Sequence, residues 1–213
     1  MPRFSIIIVH YQGSTTHNEF CRCANSIINQ TYQDFEILAY HDGPLLDEKV
    51  VFPVPIVCMD RNYKDWGHTL RDRGIHEAKG DYIVHMNSDN LLYPNALEEI
   101  AATIDRPPRL FNQQRQPVDT SDIVVYGILA RCAQRFGDDV LRCPNRPDYY
   151  IVLTGNPPRR LYIDAMQLVM KRTLWLAEGG WSNKTYCGDG EMYQKFATKY
   201  GYRSVEKVLG EHY

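Results

Sequence analysis

Phe4-Ser5-Ile6-Ile7-Ile8-Val9 runs straight into His10-Tyr11-Gln12-Gly13. An unbroken apolar, β-branched run of this length is the pattern of a strand buried on both faces of a parallel sheet. The polar cluster at its end is where such a sheet presents functional groups. Working outward, Phe20, Cys23, Ala24, Ile27 and Ile28 recur at helical spacing and predict an amphipathic helix over roughly 17–30. Strands follow at 35–40, 56–59 and 82–86, with a helix between the last two on Leu70, Gly74, Ile75 and Ala78. Gly80 reads as the C′ residue that closes that helix. The second and fourth strands also end in polar clusters, His41-Asp42-Gly43 and Asn87-Ser88-Asp89-Asn90. This β-α-β-β-α-β order predicts a doubly wound α/β fold with its ligand site at the strand C-termini.

The remainder is less regular. A short helix follows Pro94, carried by Ala96, Leu97, Ile100, Ala101 and Ile104, and 105–121 reads as a long loop. Strands are expected at 123–129 and 149–153, with a loop-rich stretch over 137–148 and a turn at 154–160. A helix over 171–178 stops at Gly179-Gly180, a second ends at Gly201, and a final strand covers 202–208. No repeat or linker divides the 213 residues, which suit one sizeable domain.

Net charge is −2, with 44% hydrophobic and 23% charged residues, which argues against a nucleic-acid-binding domain. An anionic substrate must therefore be held by a few placed cations. No apolar stretch approaches the length that spans a bilayer, and 4–9 is too short for a signal segment. The six cysteines lack a second pair at zinc-site spacing, so reduced thiols and a cytoplasmic home are expected.

Four stretches together resemble the GT-A glycosyltransferases, and within them the inverting family 2: Ser5 to Gln12, Ala24 to Glu36, Glu77 to Ile83 running into Asn87-Ser88-Asp89-Asn90, and Gly179-Gly180-Trp181 followed by Cys187-Gly188-Asp189. The likeness is close over the first hundred residues and returns after about 164. It implies a Rossmann-like GT-A domain, a mainly parallel twisted sheet with helices on both faces. Residues 1–104 would form the nucleotide-sugar half and 105–213 the acceptor half. It further implies a UDP-sugar donor, Mn²⁺ or Mg²⁺ as cofactor, and a carbohydrate or glycoconjugate acceptor, with inversion at the anomeric carbon.

Residue by residue, an aspartate before Gly-Pro shapes a turn on general grounds, while the resemblance makes Asp42 the acceptor of the uracil N3–H. His10, Tyr11 and Gln12 would border the base, although the family has Pro-Thr-Tyr-Asn there. Asn87-Ser88-Asp89 stands in place of the Asp-x-Asp motif, whose carboxylates give a hard cation the oxygen ligands it takes. Asn87 replaces the first carboxylate, leaving Asp89 as the anionic ligand and Asn87 as either a site residue or a turn cap. His212 is the expected further metal ligand. Arg71 matches the family's arginine, and its planar fork suits the diphosphate; Arg73 stands where the family often has Asn. Trp66 and Gly67 are placed at the ribose. Asp189, at a helix start where an acid also serves as a cap, is the candidate base, with Glu191 behind it and Gly188 replacing the family's Glu. Trp181 either stacks on an acceptor sugar or packs. Two other readings stay open: a sugar nucleotidyltransferase, which normally carries a Gly-rich loop after its first strand, and a UDP- or glycan-binding domain without turnover.

Overall fold

The computed structural model describes residues 1–47, 49–107, 122–131, 135–136, 139–140 and 150–213. The first strand, β1 (Phe4–His10), is buried along its whole length. It pairs in parallel with β2 (Phe35–His41) and β4 (Tyr82–Asn87), and β2 pairs in parallel with β3 (Ile56–Cys58). Helix α1 (His17–Ile28) opens on a capping box: the Glu19 amide donates to Thr16 Oγ1 (3.3 Å) and the Thr16 amide to Glu19 Oε2 (2.7 Å). Helix α2 (His68–Glu77) precedes β4; beyond it lie β5 (Leu91–Leu92) and α3 (Ala96–Asp105). In the second half β6 (Ile123–Arg131), the short pair β7 (Arg135–Phe136) and β8 (Asp139–Val140), β9 (Tyr150–Leu153) and β10 (Leu168–Lys171) are followed by α4 (Arg172–Ala177), α5 (Gly188–Tyr200) and β11 (Arg203–His212).

The main sheet is mixed, with most of its register parallel, in the order β3-β2-β1-β4-β10-β6-β11-β5, and β9 adds to β6. Alternation along β1 sorts its side chains between two cores, as a period of two requires. Phe4, Ile6 and Ile8 meet Phe20, Cys23 and Ile27 of α1 and Leu97 and Ile100 of α3 on one face. Ile7 and Val9 meet Leu70 and Ile75 of α2, Trp175 of α4 and Phe196 of α5 on the other. Each large side chain so buried contributes roughly 1.5–3 kcal/mol of transfer free energy. The expected α/β fold with helices on both faces is the one observed.

Four strands went unread, β5, β7, β8 and β10, because they are too short to show a period. Two of them, β10 and β5, matter for the site. Strand β10 runs antiparallel between β4 and β6, pairing Met170 with Ile83 and Lys171 with Tyr82. Its start therefore lies at the edge where the parallel strands end. Strand β5 pairs with the end of β11, Leu91 opposite Glu211. Arg203 anchors β11 at its other end, donating from Nη1 to the carbonyls of Thr103, Ile104 and Arg106 (3.1, 2.9 and 2.6 Å) at the C-terminus of α3.

Of the loops expected in the middle of the chain, 108–121 and most of 137–148 lie outside the described residues, as do Cys132 and Cys143. Cys21, Cys23, Cys58 and Cys187 are free thiols. Among the described residues no helix is long and apolar enough to cross a membrane.

The expected role of Gly80 is corrected. The α2 cap is Ala78, and Gly80 instead lies against β1, its amide donating to Ser5 Oγ (2.8 Å). A Cβ there would stand 2.6 Å from Phe4 C and Ser5 N. Gly80→Ala is expected to destabilise by about 1–3 kcal/mol through this backbone overlap, read as a lower urea midpoint at unchanged slope.

Three buried histidines set the acid side of stability. Burial lowers the pKa of His10 and of His68 to about 4 and holds that of His85 well below its ordinary value. Unfolded, each returns to an ordinary value near 6.5. As the pH falls from about 6.5 to 4 the unfolded chain takes up protons that the folded one refuses, so stability present above 6.5 is lost across that window. Melting temperature measured from pH 8 to pH 4 should hold and then fall below about 6.5; a flat profile would contradict the neutral, buried state of these rings.

Candidate functional site

At the ends of β1, β2 and β4 lies a cavity of ≈ 730 Å³. Strand geometry delivers its floor. The carboxylate of Asp42, directly after β2, is buried and accepts from the Tyr63 amide (2.9 Å), and burial raises its pKa. Ser88, after β4, is buried with Oγ 2.9 Å from His10 Nδ1. Tyr11 lines the cavity. His10 and Gln12 do not belong to the lining: the His10 ring is turned into the core beside Phe20 and His41, and Gln12 ties down the next loop, its Oε1 accepting from the Leu46 amide (2.7 Å). Both were expected beside the base, yet neither side chain reaches the cavity lining. His10 lies beneath it, in contact with Ser88.

The Arg71 guanidinium, on α2, lines the wall although it is only 2% exposed. It donates from Nη1 to the Trp66 carbonyl (2.8 Å) and from Nη2 to Asn87 Oδ1, and lies 5.3 Å over the Trp181 ring. Burial lowers its pKa, and the nearby Tyr193, Asp164 and Asp189 act the other way. Asn87 therefore serves as partner to the arginine. Arg73 points elsewhere, paired with Glu77 (2.6 Å). Trp66 and Gly67 both line the cavity. Trp181 does not: it is 1% exposed, stacked on Trp175 (5.5 Å) and His68 (5.2 Å), so of its two readings it packs.

Asp89 and His212 both line the cavity, near enough for the charge of one to act on the other. The pairing of β5 with β11 sets the end of β11 beside the Ser88-Asp89-Asn90 turn, two positions sequence reading could join only by resemblance. Asn90 Oδ1 accepts from the Tyr213 amide (3.4 Å), which fixes its oxygen, and it lies 3.0 Å from His212 Nδ1. His212 Nδ1 then carries the proton and its lone pair is on Nε2, the arrangement a ligating histidine needs. Asp89 Oδ1 is buried without a hydrogen-bond partner, and burial raises the pKa of its carboxyl.

Among the described residues no group of three His, Cys, Asp or Glu side chains makes a complete cation cage. That is compatible with a hard cation that takes one or two protein ligands and completes its shell with water and substrate phosphates. The orphaned Asp89 oxygen and the His212 tautomer fit such a partial set.

With Asn62, Lys64 and Tyr186, Asp164 is among the lining residues that sequence reading missed. It caps the 3₁₀ turn Ala165–Gln167 that leads into β10, Oδ1 accepting from the Met166 amide (3.0 Å), while Oδ2 lies 3.6 Å from His212 Nδ1. Its signal was the Asp-to-Gln capping box ahead of the short apolar run 168–170.

Asp189 enters from α5, one residue past its start. A bond from the Gly190 amide (2.7 Å) and Arg71 favour its charged form, but burial and then Asp164 outweigh them and raise its pKa to about 6. A carboxylate so tuned suits a general base near neutral pH. The absent glutamate at 188 also has a cause: a Cβ on Gly188 would stand 2.4 Å from the Asn183 carbonyl oxygen. Glu191 is held outside the cavity lining by Asn183 Nδ2 (2.7 Å) and Arg160 (2.9 Å).

Comparison with known proteins agrees with this architecture. The uncharacterized glycosyltransferase YwdF of Bacillus subtilis is 28% identical over 106 residues, which cover 48% of this chain and 38% of that protein. The uncharacterized glycosyltransferase RT0329 of Rickettsia typhi is 27% identical over 128 residues, 59% of this chain and 36% of its own length. The matched region thus spans little more than a third of the length of each of these two relatives. Among solved structures, S. aureus TarS in complex with UDP superposes with a TM-score of 0.65 at 14% identity, over 98% of this chain and 60% of that one. The mannosyltransferase PcManGT of Pyrobaculum calidifontis, in complex with GDP-Man and Mn²⁺, gives 0.60 at 14% over 99% and 56%. The model of glycosyl transferase family 2 matches residues 5–199, a span that takes in every residue of the cavity wall except His212 and Tyr213, and the chain belongs to that family.

Proposed function

We propose that this chain transfers a hexose from a UDP-sugar to a hydroxyl of a carbohydrate or glycoconjugate acceptor, with inversion, and that Mn²⁺ or Mg²⁺ assists. The observation that carries the reading is the gathering of Asp42, Arg71, Asp89, His212 and Asp189 around one cavity. In this reading 1–104 supply the donor side and 105–213 the acceptor side, with His212 returning to the donor. Asp42 accepts the uracil N3–H, Tyr11 and Ser88 border the nucleoside, and Arg71 faces the diphosphate. Asp89 and His212 hold the cation, which when bound neutralises the charge left on the departing UDP. Asp189 takes the proton from the acceptor hydroxyl as its oxygen bonds to the anomeric carbon. The bond from that carbon to the UDP oxygen breaks with its electron pair, and the configuration inverts. Solved relatives of the fold carry UDP-GlcNAc in one case and GDP-Man with Mn²⁺ in another, so the base is the point to test.

The deciding measurement is thermal unfolding with UDP or GDP, with Mn²⁺ or a chelator. At ~100 times its dissociation constant UDP should stabilise by about 2.7 kcal/mol, a shift of roughly 5–10 °C for a chain of this size. The shift should need Mn²⁺, be weak with GDP and vanish in Asp89→Ala. Equal shifts with both nucleotides would remove the uridine assignment, and no shift with either would remove the donor site.

Turnover should depend on the Asp189 carboxylate. Asp189→Asn is expected to lose about 10²–10⁴-fold in kcat with the UDP shift retained. Because the deprotonated form is the base, kcat/KM should rise with pH through about 6 and level off above it. Asp164→Asn, which removes the neighbouring negative charge, should move that rise to lower pH. Retained transfer in Asp189→Asn would exclude it as the base.

A further inference from the structure

The protein has three tryptophans. Trp175 and Trp181 are buried; Trp66 is 61% exposed. Beside it Tyr186 is 69% exposed, and the two rings meet edge to face with centroids 5.6 Å apart, both lining the mouth of the cavity. They come from different loops, one before α2 and one before α5, so the pair is made by the fold.

The backbone beneath Trp66 is unusual. Lys64 and Trp66 both have φ +57° and Gly67 has φ +78°. A left-handed conformation is disfavoured for a bulky side chain, and such residues persist where the surroundings fix them, commonly at ligand sites. Here the surroundings are plain. The Trp66 carbonyl accepts from Arg71 Nη1 (2.8 Å), Asp65 Oδ2 accepts from the Thr69 amide and hydroxyl (3.0 and 2.5 Å), and Asn62 Oδ1 accepts from the Lys64 amide (2.7 Å). The loop is clamped from below while the indole stays in solvent.

Its direction across the cavity is also defined. The loop begins at the Asp42 end, through the bond from the Tyr63 amide, and finishes against Tyr186, three residues before Asp189. The indole therefore stands where the loop from Asp42 meets the segment that leads into Asp189, and all three residues line the same cavity. A pyranose ring fits this pair: it has one apolar face of C–H groups and a rim of hydroxyls, and aromatic rings with polar neighbours suit both. Lys64 and Asn62 in the lining supply the polar rim, which does not suit a lipid chain.

We propose that Trp66 and Tyr186 form the platform on which a sugar ring of the acceptor stacks, its hydroxyl directed at Asp189, and that Trp66 lies outside the ribose pocket. This rests on the transfer reaction proposed above. It assigns the acceptor as a carbohydrate at the point of attack and gives Trp66 the role that the buried Trp181 cannot fill.

Because the other two tryptophans are buried, fluorescence open to acrylamide quenching reports Trp66. Quenching is measured on the full chain with UDP and Mn²⁺, and with maltotriose, chitotriose and mannotriose, chosen because stacking reads a ring face common to all three. UDP alone should leave the indole quenchable. A saccharide added with UDP should shield it, and Tyr186→Ala should weaken that shielding about 3- to 10-fold. Trp66→Ala should keep the UDP-dependent melting shift, which also shows that it folds. Shielding by UDP alone, or loss of the UDP shift in Trp66→Ala, would return Trp66 to the donor and overturn the proposal. No shielding by any of the three sugars, with the UDP shift intact, would overturn it while leaving the donor reading in place. A wild-type protein shielded by sugar but blind to UDP would instead sink the donor reading.

Discussion

A guanidinium taken out of water has to be met from several sides, and the arrangement around Arg71 follows from that demand. Isolated, such a charge would cost several kcal/mol. Here the Trp66 carbonyl, the Asn87 amide oxygen and the face of Trp181 each meet part of it, and Asp164 and Asp189 supply opposite charge. Those groups belong to the loop before α2, the end of β4, the segment before β10 and the start of α5. One buried cation thereby fixes the mutual positions of the loop before α2, the end of β4 and Asp189. It also explains why Asn is tolerated at 87, since a neutral oxygen suffices once two carboxylates balance the arginine.

The same carboxylates divide their work by environment. Asp164 is held by the Met166 amide, and its charge helps raise the pKa of Asp189 toward the neutral range. Asp89 keeps an oxygen without a partner. A base with a raised pKa and a carboxylate with a vacant lone pair suit opposite tasks, proton transfer and cation binding, although both are aspartates within one cavity.

Much of the first half of the fold could be read from the chain because its elements are long and patterned. The run from Phe4 needs burial on both faces, and α1 carries an apolar stripe with a capping box at its start. Asp42, Arg71, Asn87, Ser88, Asp89 and Asp189 all line the cavity; Asp42, Asn87, Ser88 and Asp89 come from strand ends, and Arg71 and Asp189 from helices α2 and α5. What escaped was short or tertiary. Two residues of β5 and four of β10 carry no usable period, so the route of Asp164 to the cavity was hidden. Gly80 looked like a helix stop because the nearness of β1 does not register in local sequence. Whether a tryptophan is buried, as Trp181 is, or exposed, as Trp66 is, depends on neighbours more than a hundred residues away.

The pairing of β5 with β11 has a consequence for how the molecule comes into being. Leu91 and Glu211 are hydrogen-bonded neighbours, and Asn90 meets His212 across 122 positions of chain. Contacts so distant in sequence form only after long loops have closed, which makes them slow and late. Strands β1, β2 and β4 are close enough in the chain to associate early, during synthesis, with α1 and α2 upon them. The pocket wall made by Asp89 and His212 is complete only when β11 has joined the sheet, so a chain with a formed β1-β2-β4 sheet and β11 undocked would lack that wall. Binding competence is thus tied to the most sequence-distant pairing of the sheet.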